Sequence, residues 1–134
     1  MTKSQISRIS LLVPSYERGI EFYVDVMGFK LIEDTDLGAG KRWVVVAPDK
    51  EVGTDLLLAK AANPEQMAAV GNQSGGRVFL FLNTDDFDGE YARLKTAGVK
   101  FLEQPREEPY AKVVVFEDPF GNKWDLLETK NLTP

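Results

Sequence analysis

The chain of 134 residues, 43% of them hydrophobic and 28% charged, is long enough to bury a sizeable core and has the composition of a soluble globular domain. Its net charge of -5 argues against nucleic acid and anionic membrane as partners. Histidine, cysteine and any glycine-rich phosphate loop are absent, which removes imidazole bases, nucleophilic triads and nucleotide-binding fingerprints. No apolar run has the length of a membrane span and the amino terminus has no signal-peptide core, so a cytoplasmic location is expected.

In chain order the first element is a strand, where Arg8 opens the apolar run Ile9 to Val13. A helix over 15–27 follows, because Ile20, Tyr23, Val24 and Met27 fall at 0, 3, 4 and 7 and make one apolar stripe. Ser15 supplies its N-cap and Gly28 its left-handed stop. A strand over 29–33 leaves the helix, the chain breaks at Asp34, Thr35, Asp36 and the Gly38-Ala39-Gly40 turn, and two more strands lie within 43–60. The loose stretch 61–76, with Asn63-Pro64 and the glycines 71, 75 and 76, reads as a linker holding one short helical turn around 66–70.

Arg77 opens the next strand, over 77–82. A helix over 85–97 places Phe87, Tyr91, Leu94 and Ala97 on one face, with acidic residues in its first turn and Gly98 past its end. A strand over 99–103 and a break at 104–109 precede the last two strands, which turn at Asp118-Pro-Phe-Gly-Asn122. That turn could suggest a phosphate or calcium loop, but a tight hairpin is the better reading.

The second half thus repeats the first. Residues 8–13 lie over 77–82, and 43–60 lie over 113–130, sharing Val44/Val114, Val45/Val115, the Asp-Leu-Leu of 55–57 and 125–127, and Lys60/Lys130. The predicted fold is α+β: two tandem βαβββ modules, about 6–60 and 76–130, joined by a linker of about 61–75 within a single domain over 1–134.

The paired modules, Phe22-Tyr23, Gly28-Phe29 and the terminal Phe116-Glu-Asp-Pro-Phe-Gly-Asn-Lys-Trp-Asp-Leu-Leu-Glu128 resemble the glyoxalase, bleomycin-resistance and extradiol-dioxygenase superfamily, also called vicinal oxygen chelate, over about residues 6–129. The resemblance implies a curved mixed sheet around a cavity, and a homodimer, since members commonly complete their cavities by joining modules of two chains. In the metalloenzyme members a ligand, His, Gln or Glu, stands at the start of the first strand and in the last strand of each module. Carried over, those places fall on Arg8, Asp55, Arg77 and Asp125. Arginine presents only donors and stays protonated, so no metal and no cofactor is expected.

Two roles stand open for this quartet. Arg8 can pair with Asp55 and Arg77 with Asp125, in which case removing one partner costs about 3–5 kcal/mol if the site is buried. Alternatively a guanidinium faces the cavity and takes an anionic ligand bidentately. Trp43, Phe79, Tyr110 and Trp124 are candidate walls of an apolar pocket, drawn from an aromatic supply that also includes Phe81 and Phe120. Glu103, Glu117 and Glu128 are candidate acids or bases if buried.

Two functions of different class follow. In one, the protein binds a small molecule in the inter-module cavity without a metal, sequestering a drug or toxin; the bleomycin-resistance members are similar in being metal-free, acidic and dimeric. In the other, it is a lyase or isomerase of the glyoxalase type, or a dioxygenase-like enzyme, acting on a small carbonyl or oxyanion substrate. The lack of an evident base favours the first.

Overall fold

Leu11 and Val13 alternate with more open neighbours along β1 (Arg8–Val13), and Leu56 and Leu58 do the same along β4 (Asp55–Lys60). This period of two gives each strand one apolar face, and the pair lies parallel with Arg8 opposite Asp55 and Leu11 opposite Leu58. The computed structural model describes residues 2–130, and the chain divides into two compact units whose boundary in sequence falls between Val70 and Gly71.

In the first unit β1 leads into α1 (Tyr16–Ile20), a π-helical segment (Glu21–Val26), β2 (Lys30–Gly38), β3 (Lys41–Ala47), β4 and α2 (Pro64–Ala69). The sheet order is β1-β4-β3-β2. Ser15 caps α1, its hydroxyl accepting from the Arg18 N–H at 3.2 Å. The expected helix over 15–27 is present but winds wide in its second half, where the Met27 N–H donates to the Phe22 carbonyl five residues back at 2.8 Å. The wide turn rotates the buried face: Tyr16, Gly19, Phe22, Tyr23 and Met27 are buried, while Ile20 and Val24 of the expected stripe are half-buried. Gly19 lets the helix approach the sheet, because a Cβ there would stand 3.0 Å from Leu58 Cδ1 and 3.1 Å from Val13 Cγ1.

β2 outruns the expected strand over 29–33. Asp34, Thr35 and Asp36, read from sequence as a break, continue the ladder opposite Val44, Trp43 and Arg42. An exposed edge strand tolerates polar residues, and Arg42 holds this one in place through two bonds to Asp34, at 3.1 and 2.6 Å, and one to Glu17 at 3.0 Å.

The second unit contains β5 (Val78–Asn83), α3 (Phe87–Thr96), β6 (Lys100–Phe101), β7 (Arg106–Glu107), β8 (Ala111–Glu117) and β9 (Lys123–Thr129), in the sheet order β5-β9-β8-β6 with β7 also pairing β8. The expected strand over 99–103 shrinks to two residues, and the expected break at 104–109 holds a second two-residue strand. Between them the Val115 carbonyl accepts the Leu102 N–H at 3.0 Å, and the Val115 N–H donates to the Glu103 carboxylate at 3.0 Å.

Helix α3 packs through an aromatic series. Phe87 lies 6.0 Å from Tyr91, Tyr91 4.7 Å from Phe101, Phe101 6.1 Å from Phe116, and Phe116 stacks on Trp124 at 5.8 Å. The turn between β8 and β9 is built on buried Asp118, whose Oδ1 accepts the N–H groups of Phe120, Gly121 and Asn122 at 2.9, 3.0 and 2.9 Å. Both units therefore show the strand, helix and strands order of an α+β fold, with three strands after the helix in the first unit and four in the second, where β6 and β7 both pair β8, and each unit has its own mixed sheet. Among the described residues no helix is long and apolar enough to cross a membrane.

Candidate functional site

The repeat singles out Arg8 and Asp55 in the first unit, and the parallel register of β1 and β4 sets them side by side. Arg8 Nε and Nη2 donate to the two carboxylate oxygens of Asp55 at 2.7 and 3.2 Å, a bidentate pair. The same guanidinium lies over the Trp43 ring, 5.6 Å from its centroid. The bonds it donates to Asp55, with a smaller contribution from the charge of Glu33, push the Arg8 guanidinium further up from its already high range. Three of the sequence candidates are thus brought together, and both oxygens of Asp55 are engaged.

The second unit does not repeat this pair. Asp125 on β9 stands opposite Phe81, four residues along the chain from Arg77, a span of about 13 Å in extended backbone. A register shift between Val78 and Leu80 separates the two modules at this point, and Arg77 remains exposed just before the strand. The expected Arg77–Asp125 pair is therefore not formed.

Asp125 instead lies among residues of the β8 side. It is 9% exposed, and its Oδ1 is fully buried without a hydrogen-bond partner. Burial pushes its carboxyl above the ordinary carboxylate range; the charge of Arg106 opposes that rise and the charge of Glu103 adds to it. Arg106 is the cation that acts on Asp125, yet its bonds go elsewhere: Nε to both oxygens of Glu103 at 2.9 and 3.0 Å, and Nη1 to Glu108 at 2.7 Å. Glu103 in turn accepts from the backbone of Val115, the β8 residue directly opposite Asp125.

Phe81 completes this arrangement. It is 65% exposed, and as the register partner of Asp125 on a parallel strand it projects from the same face of the sheet. An open aromatic ring beside a buried, unanswered carboxyl can hold a flat apolar group and accept a hydrogen bond.

The remaining candidates are dispersed. Trp124 is 3% exposed and stacks in the aromatic series under α3. As the chain neighbour of Asp125 it points to the opposite face, so it belongs to the core and cannot share a site with that residue. Phe79 is half-buried at the register shift, and Tyr110 is exposed before β8, its carbonyl accepting from the Lys130 N–H at 2.8 Å. Glu128 serves the fold, accepting the Phe87 N–H at the start of α3 at 2.8 Å, and Glu117 pairs with Lys100 at 2.9 Å.

Arg106 and its partner Glu108 escape sequence reasoning because the repeat has no counterpart for them: seventy residues back stand Asp36 and Gly38. The visible signal is the charge spacing Glu103, Arg106, Glu108 around Pro105 and Pro109.

The four metal-ligand places of the resembled enzymes do not fit a metal. Two are arginines, Asp55 is held by Arg8 through both oxygens, and Asp125 stands without a second donor. Among the described residues no group of three or more Asp or Glu is placed to hold an ion.

Comparison with known proteins places this geometry in context. The family described as Glyoxalase/Bleomycin resistance protein/Dioxygenase superfamily matches residues 5–126. The chain is 51% identical over 133 residues to an uncharacterized protein of Shewanella frigidimarina, covering 98% of each chain. Among solved structures it is similar to TnmS3, an antibiotic binding protein from Streptomyces sp. CB03234, with 33% identity, a TM-score of 0.79, and coverage of 97% of this chain and 99% of that one. It is also similar to UcmS2, with 25% identity, a TM-score of 0.80, and coverage of 95% and 99%.

Proposed function

Because the chain belongs to the Glyoxalase/Bleomycin resistance protein/Dioxygenase superfamily, a fold that hosts several chemistries, we propose that it binds a small organic molecule without a metal and without transforming it, as in the sequestration of a drug or toxin. The observation that carries this reading is the closure of Asp55 by Arg8 at a place where a metalloenzyme of the fold holds a ligand. Likeness to an antibiotic binding protein over nearly the whole chain supports it. The stacked Arg8–Trp43 pair in the first unit and, separately, the exposed ring of Phe81 in the second are each a surface suited to a partly aromatic ligand.

A glyoxalase-type lyase or isomerase acting on a small carbonyl or oxyanion substrate is the second reading. Asp125 favours it, being a buried carboxyl held above its ordinary range that could move a proton. Titration of Trp43 fluorescence with a panel of antibiotics in EDTA, with each ligand recovered and analysed, separates the two. Saturable quenching with unchanged ligand is expected. Conversion of methylglyoxal hemithioacetal, a catechol or fosfomycin at a rate abolished by Asp125→Asn would establish the enzyme instead.

The protein is also read as a homodimer. β2 is an edge strand that is exposed along its length, with Leu31, Ile32 and Leu37 open, and such an edge invites a partner. Sedimentation is expected to give a species near twice the chain mass; a concentration-independent monomer contradicts this.

A further inference from the structure

We propose that the Asp125 carboxyl anchors the bound ligand by accepting an N–H or O–H from a ring system that lies on Phe81. The proposal rests on the binding reading above and names the chemistry its ligand must carry.

Folded proteins rarely bury an acceptor without a partner, since an unanswered buried polar group loses its hydration and gains nothing in return. Asp125 Oδ1 is such an acceptor. Among the described residues no side chain donates to it. Arg106, the cation that acts on it, gives Nε and Nη1 to Glu103 and Glu108, and Glu103 presents only acceptors. The local charges, one arginine against Asp125, Glu103 and Glu108, leave an excess of acceptor capacity that a donor from outside would satisfy.

The placement also suits a ligand. Strand pairing fixes Asp125 between Phe81 on β5 and Val115 on β8. These three side chains rise from one face, so a flat ring resting on Phe81 carries its substituents over the carboxyl. The 9% of Asp125 that stays open gives access, and the broad χ2 well of an aspartate lets either oxygen turn toward the donor.

Among the described residues the other buried acceptor without a partner is Asn122 Oδ1 in the turn between β8 and β9, and that residue is 2% exposed and gives a ligand less access than Asp125. The groove of about 530 Å³ bordered by Asp88, Glu107, Lys112 and Lys130 is charged, but its lysines pair with its acids at 2.7 and 2.9 Å. It holds no unanswered group of comparable burial.

The test compares three naphthalene probes by equilibrium titration of the full chain: 2-naphthol, which has an O–H; 1-naphthylmethylammonium, which has a charged N–H; and 2-methoxynaphthalene, which has neither. Wild type is expected to bind the two donors about tenfold or more tightly than the methyl ether. Asp125→Leu should erase that difference while keeping the weak binding of the ether, and Phe81→Ala should weaken all three by a similar factor. Asp125→Asn, which keeps a carbonyl acceptor, should retain the preference for 2-naphthol and lose that for the ammonium. Equal affinity for all three probes, or a donor preference that survives Asp125→Leu in a protein with native circular dichroism, overturns the proposal. If antibiotics bind and the donors show no advantage, only the Asp125 assignment fails; if neither the probes nor any antibiotic binds, the binding reading fails with it.

Discussion

Arg8 and Asp55 stand directly opposite each other on the parallel strands β1 and β4, and the guanidinium spans both carboxylate oxygens at 2.7 and 3.2 Å. Their side chains keep 39% and 21% of their surface in solvent, so this is a partly screened pair and not a buried one. Its coupling energy should therefore be small, well short of the loss that breaking a buried pair brings. A double-mutant cycle of Arg8→Leu and Asp55→Leu, followed by urea unfolding, measures it. Strict additivity would mean that the bidentate geometry has no energetic weight.

The turn at Asp118 is expected to be far more sensitive. One carboxylate oxygen gathers three backbone N–H groups, and Oδ2 takes the Asn122 side-chain amide at 2.7 Å, all in a buried setting. Asp118→Ala strands these donors and should cost about 3 kcal/mol or more. A loss below about 1 kcal/mol would show that water replaces the carboxylate without penalty.

This contrast marks what could be read from the chain. Apolar periodicity and the Asp-Leu-Leu repeat at 55–57 and 125–127 placed the two modules and the strands that carry Asp55 and Asp125, because each strand has one face to bury. The Arg8–Asp55 pair was legible for the same reason. The Arg77–Asp125 pair is not formed because β5 pairs with β9 so that Asp125 stands opposite Phe81, four residues beyond Arg77, and no composition signal announces that offset. The role of Arg106 was hidden because it rises from a short strand inside a segment read as a break. Trp124 lies in the core and not in the wall of a pocket because α3 covers the face that bears it, and sequence alone does not tell which face of a strand a helix will cover.

Gly71 provides a test of the chain segment that opens the second unit. It sits at a φ of 74°, and a Cβ on it would run into the Phe120 carbonyl oxygen. Gly71→Ala thus combines left-handed strain with a backbone clash, and its melting temperature should fall by several degrees or more. Gly40→Ala, also at positive φ but with nothing within 4 Å of the added atom, should show the strain alone and a smaller loss.

Asp125 makes stability depend on pH in a defined direction. Burial raises its carboxyl in the folded protein, so the unfolded chain gives up this proton at lower pH than the folded one does. The contribution of Asp125 is fully present below the ordinary carboxylate range and is lost as pH rises through the raised folded value. Asp125→Asn escapes this loss. The variant should match wild type in acid and become the more stable of the two toward neutrality, as denaturant titrations across pH 3 to 8 will read. A stability difference that stays constant with pH contradicts the unanswered, buried state of this carboxyl.

The central claim is that the protein holds a small molecule with its own side chains and no metal. A thermal-shift screen of antibiotics in excess EDTA tests it most directly. The account predicts at least one compound that raises the melting temperature saturably, with a shift that survives EDTA and a ligand recovered unchanged. A panel in which every stabilising compound acts only after nickel, zinc or iron is added back would contradict it.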